Sequence, residues 1–206
     1  MKIALIDLDR LLGDFSEGAK EMGVERIYKK YCDNPKLFLK EIKNYDPEEL
    51  KKKSEKLIDM FKVYPETIPF MKEMKKHGFY NAILTDNFLC GSEKTRKKIM
   101  KNFYEDGNCY VDKIYCTMEM IEENGKMSIK PNGSKELFAK KQFDIYETGV
   151  LIVEGKNDVK VASEIRKMAK EKKFPIEVIK VGNNCKELDK FVDFSAKNLQ
   201  EILQYI

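Results

Sequence analysis

Apolar residues gather in four short runs along the chain: Ile3–Ile6, Tyr80–Leu84, Val150–Val153 and Ile176–Val181. A fifth, less apolar run covers Phe191–Phe194. Within the four runs the apolar residues are largely continuous rather than alternating, which predicts strands of a parallel sheet covered on both faces. Between the runs the period changes. Val159, Val161, Ala162, Ile165, Met168 and Ala169 recur at helical spacing, with Asn157 or Asp158 placed to cap them. Ile68, Met71 and Met74 repeat the spacing just after Pro65, with Pro69 in the first turn. The stretch "NLQEILQYI" reads as a short amphipathic helix. Strands alternating with helices predict an α/β fold with a three-layer parallel-sheet core.

One stretch departs from this rhythm. Residues 14–63 contain no strand-like run, but Leu57, Ile58 and Phe61 sit at helical spacing, as do Ala19, Met22 and Ile27. This predicts a helical insertion between the first and second strands. The expected division is a core of residues 1–13 and 64–206 and a small helical domain of residues 14–63. The sequence carries no internal repeat and no low-complexity linker.

Composition narrows the partners. Hydrophobic residues make up 42% of the 206, enough for a sizeable core, and charged residues 36%, which predicts a densely charged surface. The net charge of +4 is mild and spread along the chain, without an arginine-rich patch interleaved with aromatics, so nucleic acid is not an expected partner. The cysteines, Cys32, Cys90, Cys109, Cys116 and Cys185, are irregularly spaced and form no Cys-x-x-Cys. His77 is the only histidine, so a zinc site has little support. An odd number of scattered cysteines suits reduced thiols in a cytoplasm. The run at 3–6 is too short for a signal peptide, and acids follow it. No stretch approaches the roughly 18 apolar residues of a membrane span.

The chemistry gathers where strands end. The first strand runs into Asp7 and Asp9, the second into Thr85, Asp86 and Asn87, and the third into Glu154, Asn157 and Asp158. In an open α/β sheet, ligands bind at the carboxyl ends of the parallel strands. Carboxylates converging there repel one another unless a cation lies among them. Mg²⁺ suits such a place, since it takes oxygen ligands and keeps waters for a phosphate. Asp7 is positioned as a nucleophile, because carboxylates form acyl phosphates. Asp9, two residues on, is positioned as the general acid–base. Lys130, in "KMSIKPNGS", precedes a proline and a helix and offers a compact positive charge for phosphate, although Lys135 also opens that helix.

The segments "LIDLD", "AILTDN", "KP" and "LIVEGKND" occur in that order. Together they resemble the four motifs of the haloacid dehalogenase superfamily of phosphohydrolases. The resemblance spans nearly the whole chain, and the insertion after the first strand is similar to the helical cap of that superfamily. The ending "VDFSAKNLQEILQYI" is similar to the close of the phosphoserine-phosphatase-like branch. The resemblance implies a Mg²⁺-dependent phosphatase acting on a small phosphorylated metabolite through an aspartyl-phosphate. It makes Asp7 the nucleophile and a metal ligand. Asp9 becomes the acid–base, lending its carbonyl to the metal. Thr85, with Asp86, would bind the phosphate and Lys130 steady it. Glu154 would be the metal ligand of the fourth motif, with Asp158 and Asn157 in support. No nucleic-acid or membrane partner is implied, and oligomeric state is left open.

The sequence departs from the family pattern in places. The usual Asp-x-Asp-Gly-Thr has Arg10 and Leu11 in place of Gly and Thr. Arg10 is placed to bind an anionic group of the substrate, to obstruct the site, or to turn away toward Asp14 or Glu17. Glu154 stands where an aspartate is usual and adds a methylene to the ligand. These departures leave open a weakly active or inactive binding protein. A third reading comes from "VLIVEGKNDVKVASEI", which also resembles the first motif of Toprim domains, metal-dependent enzymes of nucleic acid. Toprim domains need a later Asp-x-Asp, whereas Asp189 and Asp193 are four apart, and the reading leaves Asp7 and Asp9 idle.

Overall fold

The computed structural model describes residues 1–23, 25–26, 28–29, 46–124 and 126–206. In chain order, strand β1 (Lys2–Ile6) is followed by the two-residue β2 (Gly13–Asp14) and helix α1 (Ser16–Glu21). Helix α2 (Pro47–Asp59) and β3 (Lys62–Val63) come next, and then α3 (Thr67–Lys76), β4 (Phe79–Thr85) and α4 (Glu93–Met100). The short β5 (Tyr104–Glu105) and β6 (Asn108–Cys109) precede β7 (Lys113–Cys116), β8 (Met118–Glu123) and β9 (Lys126–Pro131). The chain continues through α5 (Lys135–Tyr146), β10 (Gly149–Val153), α6 (Val159–Lys172), β11 (Ile176–Val181), β12 (Phe194–Ala196) and α7 (Leu199–Ile202).

Six strands form one sheet in the order β12-β11-β10-β1-β4-β7, and every neighbouring pair is parallel. Alternation along the strands splits the core into two layers. Ile3 and Leu5 pack on one face with Phe143 of α5 and with Val161, Ala162 and Ile165 of α6. Ala4 and Ile6 face the other way, toward Phe70, Met71 and Met74 of α3 and Leu199 and Ile202 of α7. This is the expected three-layer α/β core. Gly149 shows how tightly β10 lies against β1: a Cβ there would stand 1.9 Å from the carbonyl oxygen of Ile3.

The four long apolar runs lie in β1, β4, β10 and β11. The fifth is shifted: β12 begins at Phe194, because a 3₁₀ turn over Lys186–Lys190 carries into Phe191, whose N–H bonds Leu188. The edge strand β7 and the antiparallel hairpin β8–β9 were not expected. The stretch 14–63 leaves and rejoins the core through paired strands, with Gly13 opposite Val63 and Asp14 opposite Lys62. A Cβ at Gly13 would stand 2.3 Å from the Lys62 carbonyl oxygen, so glycine permits this close pairing. Within the stretch, α1 and α2 are helices, and Ala19, Leu57, Ile58 and Phe61 join the core layer with Phe70 and Ile83. Ile27, expected on a helix there, and Cys32 lie outside the described residues. Among the described residues no helix is long and apolar enough to cross a membrane.

Candidate active site

Asp7 follows β1 directly, and its N–H still donates to Ile152 of β10 at 3.1 Å, so the first acid is fixed by the sheet itself. Its Oδ1 accepts from the N–H of Leu8 at 3.0 Å and from Nζ of Lys135 at 2.9 Å. The tight loop after it closes with Leu12 N–H donating to Leu8 and Arg10 N–H to Gly13. That loop brings Asp9 back over the strand ends. Asp9 Oδ1 accepts from Nδ2 of Asn87 at 2.8 Å and from the hydroxyl of Tyr28 at 3.3 Å. Asn87 is oriented in turn by its own N–H, which donates to Thr85 Oγ1, and by its Oδ1, which caps a turn at Leu89.

Lys135 holds the centre. It is the first residue of α5, just after the cap Ser134, and only 6% of its side chain is exposed. Its ammonium lies 2.9 Å from Asp7, 2.7 Å from Asp158 and 3.8 Å from Asp86. Burial alone would lower its pKa. The charges of Asp158, Asp7 and Asp86 outweigh burial and hold the pKa well above the usual lysine value. Lys130, the expected phosphate-binding lysine, is exposed on β9 and pairs in register with Glu119. The lysine that meets Asp7 is therefore Lys135: the proline after Lys130 belongs to the hairpin, and the helix that points into the site starts later.

The acids feel one another. Burial first, and then the charge of Asp158, push the Asp7 carboxyl well above its ordinary pKa, against the pull of Lys135. Burial also raises Asp9, to about 6, against the hydrogen bond from Asn87 and the charge of Lys135. Glu154, just after β10, is raised by burial and opposed by its bond from Asn184 and the charge of Arg10. Asn184 Nδ2 reaches Glu154 Oε1 at 2.8 Å from the loop after β11. The other oxygen, Glu154 Oε2, is buried without any hydrogen-bond partner. A buried, unpartnered carboxylate oxygen is costly unless a cation meets it.

The remaining expected residues sort differently. Thr85 is fully buried under the strand ends, and Asp86 accepts from the hydroxyl of Thr117 at 2.6 Å. Asp158 was expected as a metal ligand and as a helix cap. Its Oδ1 is taken by Lys135, and its Oδ2 accepts from the N–H groups of Glu154 and Gly155, both at 3.2 Å. It braces the turn before α6 and anchors the lysine, leaving Glu154 as the acid with a vacant oxygen. Asn157 is exposed in the middle of that turn. Arg10 has a positive φ of 64° and its guanidinium lies over Gly155, with Nη2 3.6 Å from where a Cβ there would stand. Asp14 accepts from the hydroxyl of Tyr64, and Glu17 pairs with Lys62. Asp189 and Asp193 pair with Lys180 and Arg166.

Sequence reasoning missed Tyr28, Asn184 and Thr117, which orient the acids from distant segments. Asn87 was visible as a polar strand end, but nothing in the sequence tied it to Asp9. The arrangement fits a magnesium ion in kind. Among the described residues no three acid, histidine or cysteine side chains form a ready metal cage. Two carboxylates, Asp7 and Glu154, remain as donors beside backbone carbonyls, and such a set leaves coordination positions for water and phosphate.

Comparison with known proteins yields no matching family model and no matching curated protein. Solved structures do match, over essentially the full chain. A substrate-bound phosphoserine phosphatase is 20% identical, with 100% of this chain and 98% of that one covered and a TM-score of 0.64. A phosphoserine phosphatase from T. onnurineus is 17% identical, covering 99% and 93%, with a TM-score of 0.59. A chain from Bacteroides fragilis described as a haloacid dehalogenase-like hydrolase is 15% identical, covering 100% and 99%, with a TM-score of 0.59. The protein thus has the haloacid dehalogenase-like fold, as the order of its motifs led one to expect. At these identities the likeness establishes the fold, and its chemistry rests on the site.

Proposed function

We propose that the protein is a Mg²⁺-dependent phosphatase of small phosphomonoesters. The observation that carries the reading is a charge imbalance in one buried place. Asp7, Asp9, Asp86, Glu154 and Asp158 gather around two cations, Lys135 and Arg10. Such an excess of acid is stable around a divalent cation and serves little structural purpose without one. Asp7, the carbonyl of Asp9 and Glu154 would hold the ion. When bound, it would offset the charge of the phosphate and of Asp7.

The residues then divide the reaction. Asp7, held at Oδ1 by Lys135, attacks phosphorus with a carboxylate oxygen, forming an Asp–O–P bond as the ester P–O bond breaks. Asp9, in its acid form, gives its proton to the departing alkoxide. Its pKa of about 6 lets it act as acid and then as base near neutral pH. As a carboxylate it next takes a proton from the water that attacks phosphorus, and the Asp7–O–P bond breaks to release inorganic phosphate. Lys135 neutralises charge on Asp7 and the phosphate, with Asp86 3.8 Å away beside it. Residues 14–63 act as a cap, since Tyr28 bonds Asp9 from within them. The substrate is a small metabolite, in keeping with the phosphoserine phosphatases among the matching structures. A reducing cytoplasm fits the free state of Cys90, Cys109, Cys116 and Cys185.

A panel of phosphate esters, assayed with Mg²⁺ and with EDTA, tests the proposal. Turnover of at least one ester that needs Mg²⁺, and that Asp7→Asn lowers on the order of a thousandfold or more, is the expected result. In the same assays Glu154→Gln should raise the Mg²⁺ concentration needed for half-maximal rate. Turnover unchanged in Asp7→Asn contradicts the mechanism.

A further inference from the structure

Arg10 occupies an unusual position. Its backbone is left-handed, with φ of 64°, where a side chain costs strain that glycine avoids. The hydrogen bond from its N–H to the Gly13 carbonyl, at 2.9 Å, locks that conformation. The locked backbone directs the guanidinium over Gly155, next to Glu154. The guanidinium thereby places a positive charge beside the turn that carries Glu154, with Nη2 3.6 Å from where a Cβ on Gly155 would stand. Yet Glu154 Oε2 has no hydrogen-bond partner, so Arg10 does not bond it. The arginine supplies charge to the acid cluster while leaving that oxygen open.

We propose that Arg10 is a resident counter-charge of the metal site, offsetting part of its acid excess and thereby lowering its affinity for a divalent cation. The proposal rests on the metal reading given above. A fixed cation beside Glu154 repels an incoming Mg²⁺ and stabilises the empty site, so the strain at φ 64° is tolerated for an electrostatic return. Glu154 fits this picture: one of its carboxylate oxygens is buried with no hydrogen bond to satisfy it.

The test is metal binding, read directly and without substrate. Free Mn²⁺ is counted by electron paramagnetic resonance, and Mg²⁺ binding is measured by calorimetry. Both are applied to the parent, Arg10→Gln and Arg10→Lys, each checked for folding by circular dichroism. Arg10→Gln removes the charge at similar length and should bind both ions about tenfold more tightly, the scale of repulsion between single and double charges a few ångströms apart. Arg10→Lys keeps the charge and should stay within about twofold of the parent. Raising ionic strength should narrow the gap between the parent and Arg10→Gln. Equal affinities in the parent and Arg10→Gln overturn the proposal and leave the phosphatase reading intact. Equal tightening in both variants overturns it too, since bulk rather than charge would then be responsible. Absence of specific binding in every protein removes the metal reading along with it.

Discussion

Two buried lysines, one on a strand of the sheet and one at the start of a helix, do different things. Lys180, on β11, is 5% exposed in its side chain and pairs with Asp189, whose side chain is 52% exposed in the following turn. Lys135, at the start of α5, is 6% exposed, and its partners are far less exposed than Asp189: Asp7 at 16%, Asp86 at 24% and Asp158 at 2%. A buried lysine with a solvated partner ties a loop to the sheet. A buried lysine among largely buried acids belongs to a cluster whose charges have little solvent to fall back on, and such clusters mark sites of chemistry. The contrast is one of partners, since the two lysines are equally buried.

Removing each charge should expose the difference. Lys135→Met strands Asp7 and Asp158 without their cation and should cost about 3 kcal/mol of stability in urea unfolding at neutral pH. The same change should lower turnover on the order of a hundredfold or more, because the charge beside the nucleophile goes with it. If Lys135→Met keeps parental stability, the cluster is not held together as described.

Asp9 gives the next largest effect, with the opposite sign. Its carboxyl is raised by burial from an ordinary 3.8 to about 6 in the folded protein. Folding therefore favours the protonated form. That contribution is complete below the unfolded pKa and is lost as pH rises through about 6. In metal-free protein at pH 8, ionised Asp9 costs the fold on the order of 2 kcal/mol, and Asp9→Asn should recover it. Asparagine still offers an oxygen to Asn87 and Tyr28, so the gain should appear at pH 8 and close toward pH 4. Unfolding curves in EDTA at the two values check this, and a gap that does not change with pH would contradict it. Lys180→Met gives the smallest effect: Asp189 is left solvated, so stability should move by no more than about 1 kcal/mol and turnover should hold within about twofold. A large loss of turnover there would erase the distinction between the two regions.

The sequence made the strands legible where burial on both faces demanded unbroken apolar residues, as in "IALI" and "VLIV". Strand β7, "KIYC", was not legible, because an edge strand of four residues with a lysine and a tyrosine carries no such run. The β8–β9 hairpin had a signal that went unread: Asn124 and Gly125 form the dipeptide favoured in tight hairpin turns, between alternating residues. The acids were legible as strand-end residues, but their partners were not. Lys130 and Lys135 differ by five positions, and only the path of the hairpin decides which lysine turns inward. Tyr28, Asn87 and Asn184 come to Asp9 and Glu154 from segments far apart in the chain, and no spacing rule connects them.

The claim at the centre is that Asp7 carries the phosphoryl group. The protein is mixed with p-nitrophenyl phosphate or the best ester of the panel in the presence of Mg²⁺, quenched in acid during turnover, and treated with borohydride, which reduces an acyl phosphate. Peptide mass spectrometry should then find homoserine at position 7 and unmodified aspartate at position 9. Reduction at another acid, or steady turnover with Asp7 unmodified, would contradict the account.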